Sequence, residues 1–410
     1  MRVLLLALFV LCSACTEEAP ILDAHFGADL GLGPALEDGG GLADGGERTN
    51  EAVAFQLDPA HTGAAPKSAL EPPLHPQFTV DLGGPISYPL ISGGKVYVVV
   101  GGAAGPRLFA LDGKSGASVW GPSSLGGSSG WAAAAADGGR VFALDADGVL
   151  TAFDAASGAA RFRITLPGGA GAFSAPPTAT GGLVFITGGG ATTTVFAVDG
   201  TTGAIRWSQP IAGPSHASPA VSPSGVYVTA GCGQAWDFAP ATGALLWRRL
   251  ASCASSSSGS SGRTPLLAGG RLLVRDLSGN LFLDAQSGAV ISGTFVAGPA
   301  PAVDGALGLF LSGSTLRAQA VPSGTVAWQF VGDGALRSAP IAAGGFVYLA
   351  SGSGLVYALD EASGQIAWNA SLGSPVDPPD DDDLTRPLPG LGVGDGLLVV
   401  PAGHRLIAYH

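Results

Sequence analysis

Four cationic side chains stand in one recurring context. His216, Arg263, Arg337 and Arg386 each lie just ahead of a proline that opens a short apolar run: Pro219, Pro265, Pro340 and Pro387. Guanidinium forks match the oxygens of carboxylates and phosphates, so such groups gathered on one ring would bind an anion. Without a ligand they would simply solvate a wet channel. A second set is "DPPDDDD", in which Asp377, Asp380, Asp381, Asp382 and Asp383 offer only oxygen donors. That chemistry suits weak Ca²⁺ binding, or else a solvated acidic loop. Cys232 and Cys253 form a third set. They do not make a C-x-x-C motif, so a structural disulfide is expected rather than redox work. The serine-rich run that follows Cys253, up to Arg263, reads as a flexible loop without chemistry.

Composition narrows the field. The chain has 410 residues and a net charge of −12, from 31 acidic and 19 basic residues. That surface would repel nucleic acid, so no such partner is expected. Charge is sparse at 12% while glycine reaches 66 residues, which suits many short strands and tight turns. No Ser/His/Asp order, His and Cys metal spacing or phosphate-binding loop is present. The apolar runs that would lie innermost, such as "WAAAAA" and "FSAPPTA", lack carboxylates. No general base stands where a cofactor would sit, so the chain reads as a non-enzyme.

The elements that position these groups are written in a repeat. "LVYALDEASGQIAW" (355–368) recurs as "LFALDGKSGASVW", "VFAVDGTTGAIRW" and "WDFAPATGALLW". Its glycine falls at Gly116, Gly158, Gly203, Gly243, Gly288, Gly324 and Gly364, always after Ser or Thr. Four residues earlier stands Asp at Asp112, Asp154, Asp199, Asp284 and Asp360, with Ala239 and Ala320 as exceptions. Four residues later stands an aromatic: Trp120, Phe162, Trp207, Trp247, Trp328 and Trp368, with Ser292 the exception. An Asp carboxylate can accept from nearby backbone N–H groups, and glycine supplies the positive φ that closes a turn. The flanks alternate at period two, so each phrase is a hairpin. Upstream, a Pro-opened and a Gly-opened apolar run complete four strands per unit, a propeller blade.

Eight Gly-opened strands face only seven turn phrases. The eighth unit stops after "HRLIAYH", one strand short. The missing strand is "PQFTVDLG" near residues 76–83, with Phe78 in the aromatic position. An N-terminal strand would thus complete the C-terminal blade and leave no free edge. The predicted fold is all-β: an eight-bladed propeller over residues 52–410. In a four-stranded meander Cys232 and Cys253 would lie in loops on the same face, so the two can meet.

The phrase D-x-x-[ST]-G-x-x-x-W resembles the tryptophan-docking motif of quinoprotein-like propellers, named for the PQQ-dependent alcohol dehydrogenases. "FQLDPAHTG" (Phe55–Gly63) also resembles the segment that opens such domains. The resemblance implies that the six repeated aromatics pack against neighbouring blades as structure, not chemistry. It also raises PQQ with calcium as a cofactor. The adjacent cysteines and carboxylate cluster of the alcohol-oxidising members are missing, so no PQQ is expected and a dehydrogenase is the remote reading.

At the other end, Arg2, the apolar core Val3–Leu11 and Ser13-Ala14-Cys15 resemble a bacterial lipoprotein signal, with Cys15 as the lipidated residue. Residues 1–15 are then the signal, and residues 16–51 an acidic, Gly-rich tether. An exported, lipid-anchored propeller is similar to the BamB-type lipoproteins of the outer-membrane protein assembly machinery. That resemblance implies a monomeric scaffold that holds an envelope partner, such as the barrel-assembly machinery, through one propeller face. The lipid anchor would be its only membrane contact, on the outer membrane, facing the periplasm or the surface. The other reading is a periplasmic or cell-surface binding protein for a small anionic ligand or a polysaccharide.

Overall fold

Each repeated turn is held by its aspartate. In the computed structural model, which describes residues 50–410 except 128, 190–191, 253–260, 277–278 and 294, Asp112 Oδ1 accepts from the Ser115 amide at 2.8 Å and from its hydroxyl at 2.7 Å. The Gly116 amide donates back to the Asp112 carbonyl at 2.8 Å, with Gly116 at φ +70°. The same bonds recur at Asp154, Asp199, Asp284 and Asp360. Where Ala239 and Ala320 replace Asp, the glycine amide still reaches the carbonyl at 2.8 Å. The carboxylate therefore reinforces a turn that the backbone closes alone. At Asp154 and Asp199 the carboxyl is held well below the usual range, first by the side-chain bonds from Arg161 and Arg206.

These hairpins build eight sheets, and the four meander strands of the first seven are consecutive in sequence. Blades 1 to 7 span residues 90–124, 132–165, 178–210, 220–249, 266–291, 302–330 and 341–371. Blade 8 takes Gly392–Gly394, Leu397–Ala402 and Arg405–Tyr409 from the C-terminal end and Pro76–Asp81 from the N-terminal side. Thr79 pairs with Ile407 in antiparallel register, and the backbones of His75 and His410 exchange two hydrogen bonds at 2.9 Å. First strands of most successive blades touch around the axis, including Leu90–Ser92 of blade 1 against Gly392–Gly394 of blade 8. The ring closes as the strand count predicts.

The aromatic wedges fill the gaps between blades. Five of the six repeated aromatics dock on the turn glycine of the next blade, which has no room for a side chain. A methyl group on Gly158 would lie 2.5 Å from Trp120, and one on Gly243 2.6 Å from Trp207. The indole N–H then donates to a carbonyl of that same turn: Trp207 to Pro240, Trp247 to Ala285 and Trp328 to Glu361, each at 2.8 Å. Phe162 packs on Gly203 without that bond, and Phe78 on Gly116 seals the joint between blades 8 and 1. Trp368 meets Tyr409 of blade 8 edge-on at 5.1 Å. Blade 5, with Ser292 in the wedge position, uses Phe295 instead: its ring lies 5.0 Å from Phe282 of its own blade and 5.0 Å from Phe310 of blade 6. The leader, Cys15 and the tether up to residue 49 lie outside the described residues.

Candidate functional site

The axial channel is where a propeller usually has room for a ligand, and here the chain's own residues 52–65 run along it. Residues 52–65 run past the first strands and hydrogen-bond to blade after blade. Ala52 exchanges two bonds with Ile91, and the Val53 carbonyl accepts from Ala136. The Pro59, Ala60, Thr62 and Gly63 carbonyls accept from the amides of Val221, Leu267, Val303 and Ala342, at 2.7 to 2.9 Å. Ala64–Ala65 then joins blade 7 as a parallel fifth strand. Each bond satisfies an innermost amide that would otherwise face the channel.

Two side chains pin this segment. Gln56 donates from Nε2 to the Pro301 carbonyl at 3.0 Å. His61 is fully enclosed, with Nδ1 2.7 Å from the Phe55 carbonyl and Nε2 3.0 Å from that of Pro219. Burial lowers the His61 pKa despite those carbonyls, favouring the neutral ring. Gln56, Leu57 and His61 all have positive φ, at 53°, 72° and 59°. Such backbone strain persists only where surrounding contacts over-determine it. A cavity of about 730 Å³ flanks the segment, walled by Val53, Pro59, Tyr97, Asp137 and Arg140.

The opposite mouth carries the residues singled out for chemistry, and the structure brings two of the predicted sets together. The acidic run lies among the arginines. Arg386 holds Asp377 through Nη1 and Asp383 through Nε, both at 2.9 Å. Asp382 lies 3.8 Å from Arg263 and 3.5 Å from His216, and accepts from the Ser261 hydroxyl at 2.8 Å. Arg337 alone of the four predicted cations has no carboxylate partner among the described residues. Asp380 projects into solvent. The anion-site and calcium-site candidates are thus largely each other's partners, making a strap of residues 377–386 across the mouth.

Sequence reasoning missed the strongest link in that strap. Arg275, just after the second strand of blade 5, donates to Asp381 at 2.9 Å and to the Gly298 carbonyl at 2.9 Å. The two side chains are only 3% and 7% exposed. Removing one partner of a pair this buried typically costs about 3–5 kcal/mol, whereas the exposed Arg263–Asp382 contact is worth little. Cys232 occupies the turn between the second and third strands of blade 4, at φ 71°. Its expected partner Cys253 lies outside the described residues.

Asp237 is a further buried acid, in the third strand of blade 4. It is 3% exposed and its Oδ1 has no hydrogen-bond partner. Burial pushes its pKa up to about 8. Above the ordinary carboxyl pKa of 3.8 the unfolded chain releases this proton while the folded one keeps it until about pH 8, so stability falls across that window. Asp237→Asn is expected to flatten that fall and to melt above the parent at pH 8. Thermal melts of both at pH 5 and pH 8 check this; identical pH dependence would contradict it.

Comparison with known proteins follows the same architecture. A family described as "Outer membrane protein assembly factor BamB" matches residues 75–168, 105–195, 169–310 and 312–409. The solved structure of BamB from Moraxella catarrhalis is similar at a TM-score of 0.62 and 18% identity, covering 82% of this chain and 99% of that one. A europium-containing methanol dehydrogenase gives 0.65 at 15% identity, with 87% and 90% covered. The quinohemoprotein alcohol dehydrogenase from Comamonas testosteroni gives 0.66 at 15% identity, with 88% and 81% covered. At these identities the likeness is one of fold. No curated protein sequence matches.

Proposed function

Because this chain belongs to the family of the outer membrane protein assembly factor BamB, we propose that it is a non-enzymatic scaffold of the outer-membrane assembly machinery. In this reading Cys15 anchors it by lipid to the outer membrane, and the propeller faces the periplasm. The observation that carries the proposal is that the chain's own segments lie at both mouths of the channel, while bare aliphatic side chains stand on the outermost strands of most blades, Val119, Ile205, Val326 and Ile366 among them. On the outermost strands of adjacent blades 4 and 5, Leu246 is 51% and Val290 56% exposed; Leu250, just beyond, is 57% exposed. Exposed apolar groups of this kind suit a protein partner.

A quinone with its metal ion does not fit the strap-covered mouth as built. Asp377, Asp381, Asp382 and Asp383 already engage Arg386, Arg275 and Arg263, so the carboxylates that would ligate a metal are spent.

Affinity capture of the full chain in mild detergent is expected to recover the barrel-inserting subunit. Leu246→Asp with Val290→Asp is expected to cut that recovery at least about tenfold, the effect of removing a central interface anchor. Circular dichroism would show the variant folded. No capture by the parent, or equal capture by the variant, would contradict the proposal.

A further inference from the structure

We infer that the cavity beside the N-terminal segment binds an extended peptide of a partner protein, laid along the innermost strand of blade 3. This site is independent of the outer-face docking proposed above.

The segment serves one position in blade after blade. The amides of Ile91, Ala136, Val221, Leu267, Val303 and Ala342 each donate to one of its carbonyls, at 2.7 to 2.9 Å. Those residues belong to blades 1, 2, 4, 5, 6 and 7. Blade 8 is met through Asp395, whose amide donates to the Asn50 carbonyl at 2.6 Å. Blade 3 is passed over. Between Val53, bonded to blade 2, and Pro59, bonded to blade 4, the chain turns back on itself. The Ala54 amide donates to the Leu57 carbonyl at 3.3 Å, and Gln56 and Leu57 have positive φ.

The residue left unserved is Ala179. It stands opposite Val184 as Val221 stands opposite Val226 and Ile91 opposite Val96, so its backbone faces the channel as theirs does. Among the described residues its amide and its carbonyl find no partner there. Ala179 is 1% exposed, and it forms part of the cavity wall. A shielded donor and acceptor on one residue are costly to leave unpaired, and another strand offers both complements at the right spacing. Ile91 shows the arrangement filled, since it exchanges two bonds with Ala52 at 2.7 and 2.9 Å.

The walls set the kind of peptide. Val53, Leu57, Leu183 and Phe185 make an apolar lining, which suits the alternate side chains of an extended chain. The volume of about 730 Å³ lies within the range of about 300–1,000 Å³ typical of ligand sites. Glu51, Asp58 and Asp137 also line it, so a neutral or basic stretch fits better than an acidic one. That argues against the chain's own tether, since residues 16–49 carry eight acids and one base.

Amide exchange and calorimetry of the full chain test the assignment with three probes. These are a capped hexapeptide of alternating valine and threonine, the same peptide N-methylated at every amide, and a synthetic copy of residues 19–36. In the free protein Ala179 is expected to exchange at least about tenfold faster than Ala136 and Val221, its counterparts in blades 2 and 4. The capped peptide should bind saturably below about 1 mM and slow Ala179 by about tenfold or more, leaving those two unmoved. N-methylation should weaken binding by about tenfold or more, as loss of main-chain hydrogen bonds does. Thr180→Trp places a bulky ring on the cavity wall, at a half-buried position. It should weaken binding as much, with the melting temperature unchanged. The inference is overturned by Ala179 as protected as its counterparts in the free chain, or by no saturable binding of the capped peptide up to about 1 mM. Equal binding of the methylated peptide, or an affinity unmoved by Thr180→Trp, would overturn it too. So would equal or tighter binding of the copy of residues 19–36, which would make the tether the occupant.

Discussion

Replacing Trp207 with alanine is expected to destabilise the propeller by about 3–5 kcal/mol, the usual result of emptying an aromatic site in a core. Trp207 is 8% exposed and sits between Phe185 of its own blade and Phe238 of the next, at 6.0 and 6.1 Å. Its indole donates to the Pro240 carbonyl at 2.8 Å and its face covers Gly243. Three losses therefore coincide: buried area, ring contacts and a hydrogen bond. Trp207→Phe keeps most of the area and is expected to cost only about 1–2 kcal/mol, for the stranded carbonyl. Gly243→Ala attacks the same joint from the other side. Its φ of +68° disfavours a side chain, and the new methyl would collide with the indole at 2.6 Å. Urea unfolding midpoints of the three variants check the order; a Trp207→Ala protein as stable as the parent would contradict the docking account.

Ending the chain at Gly403 is expected to abolish the cooperative native state. The deletion removes Leu406, Ile407, Ala408 and Tyr409, all buried, and with them the strand that joins Leu397–Ala402 to Pro76–Asp81. Blade 8 would fall apart, the strand carrying Phe78 would lose its sheet, and blades 7 and 1 would face water across the gap. Near-UV circular dichroism and calorimetry of the shortened chain are expected to show no native-like transition. A single transition close to that of the full chain would mean that the ring does not depend on its closing strand.

The blades were legible because their determinants are side chains at fixed spacing. The turn aspartates, the glycines and the wedge aromatics each leave a mark every 36 to 45 residues. Even the closing strand announced itself, through Phe78 in the wedge position. What fills the channel left no such mark. The segment 52–65 bonds to the blades mainly through its carbonyl oxygens, which any residue provides, so "FQLDPAHTG" gave no sign of where it would lie.

The strap was half legible. Its acids and most of its arginines were singled out, but as two separate sites. Their pairing spans 106 residues between Arg275 and Asp381, and nothing local in a sequence encodes a contact that distant. Arg275 itself closes an apolar strand and looks like an ordinary surface residue. Phe295 escaped for a simpler reason. It stands three residues beyond Ser292, outside the repeat's register, and reaches the joint only because the chain leaves the sheet after Ile291.

That residues 52–65 run inside the ring and bond to its innermost strands is tested most directly by hydrogen–deuterium exchange. The amides of Val221, Leu267, Val303 and Ala342 are the ones to follow, since each donates to residues 59–63. They are expected to exchange as slowly as the central strands of their blades, released only by global unfolding. Rapid exchange at these four, beside slow exchange in strands such as Val96–Val100, would place the N-terminal segment outside the channel and contradict the account.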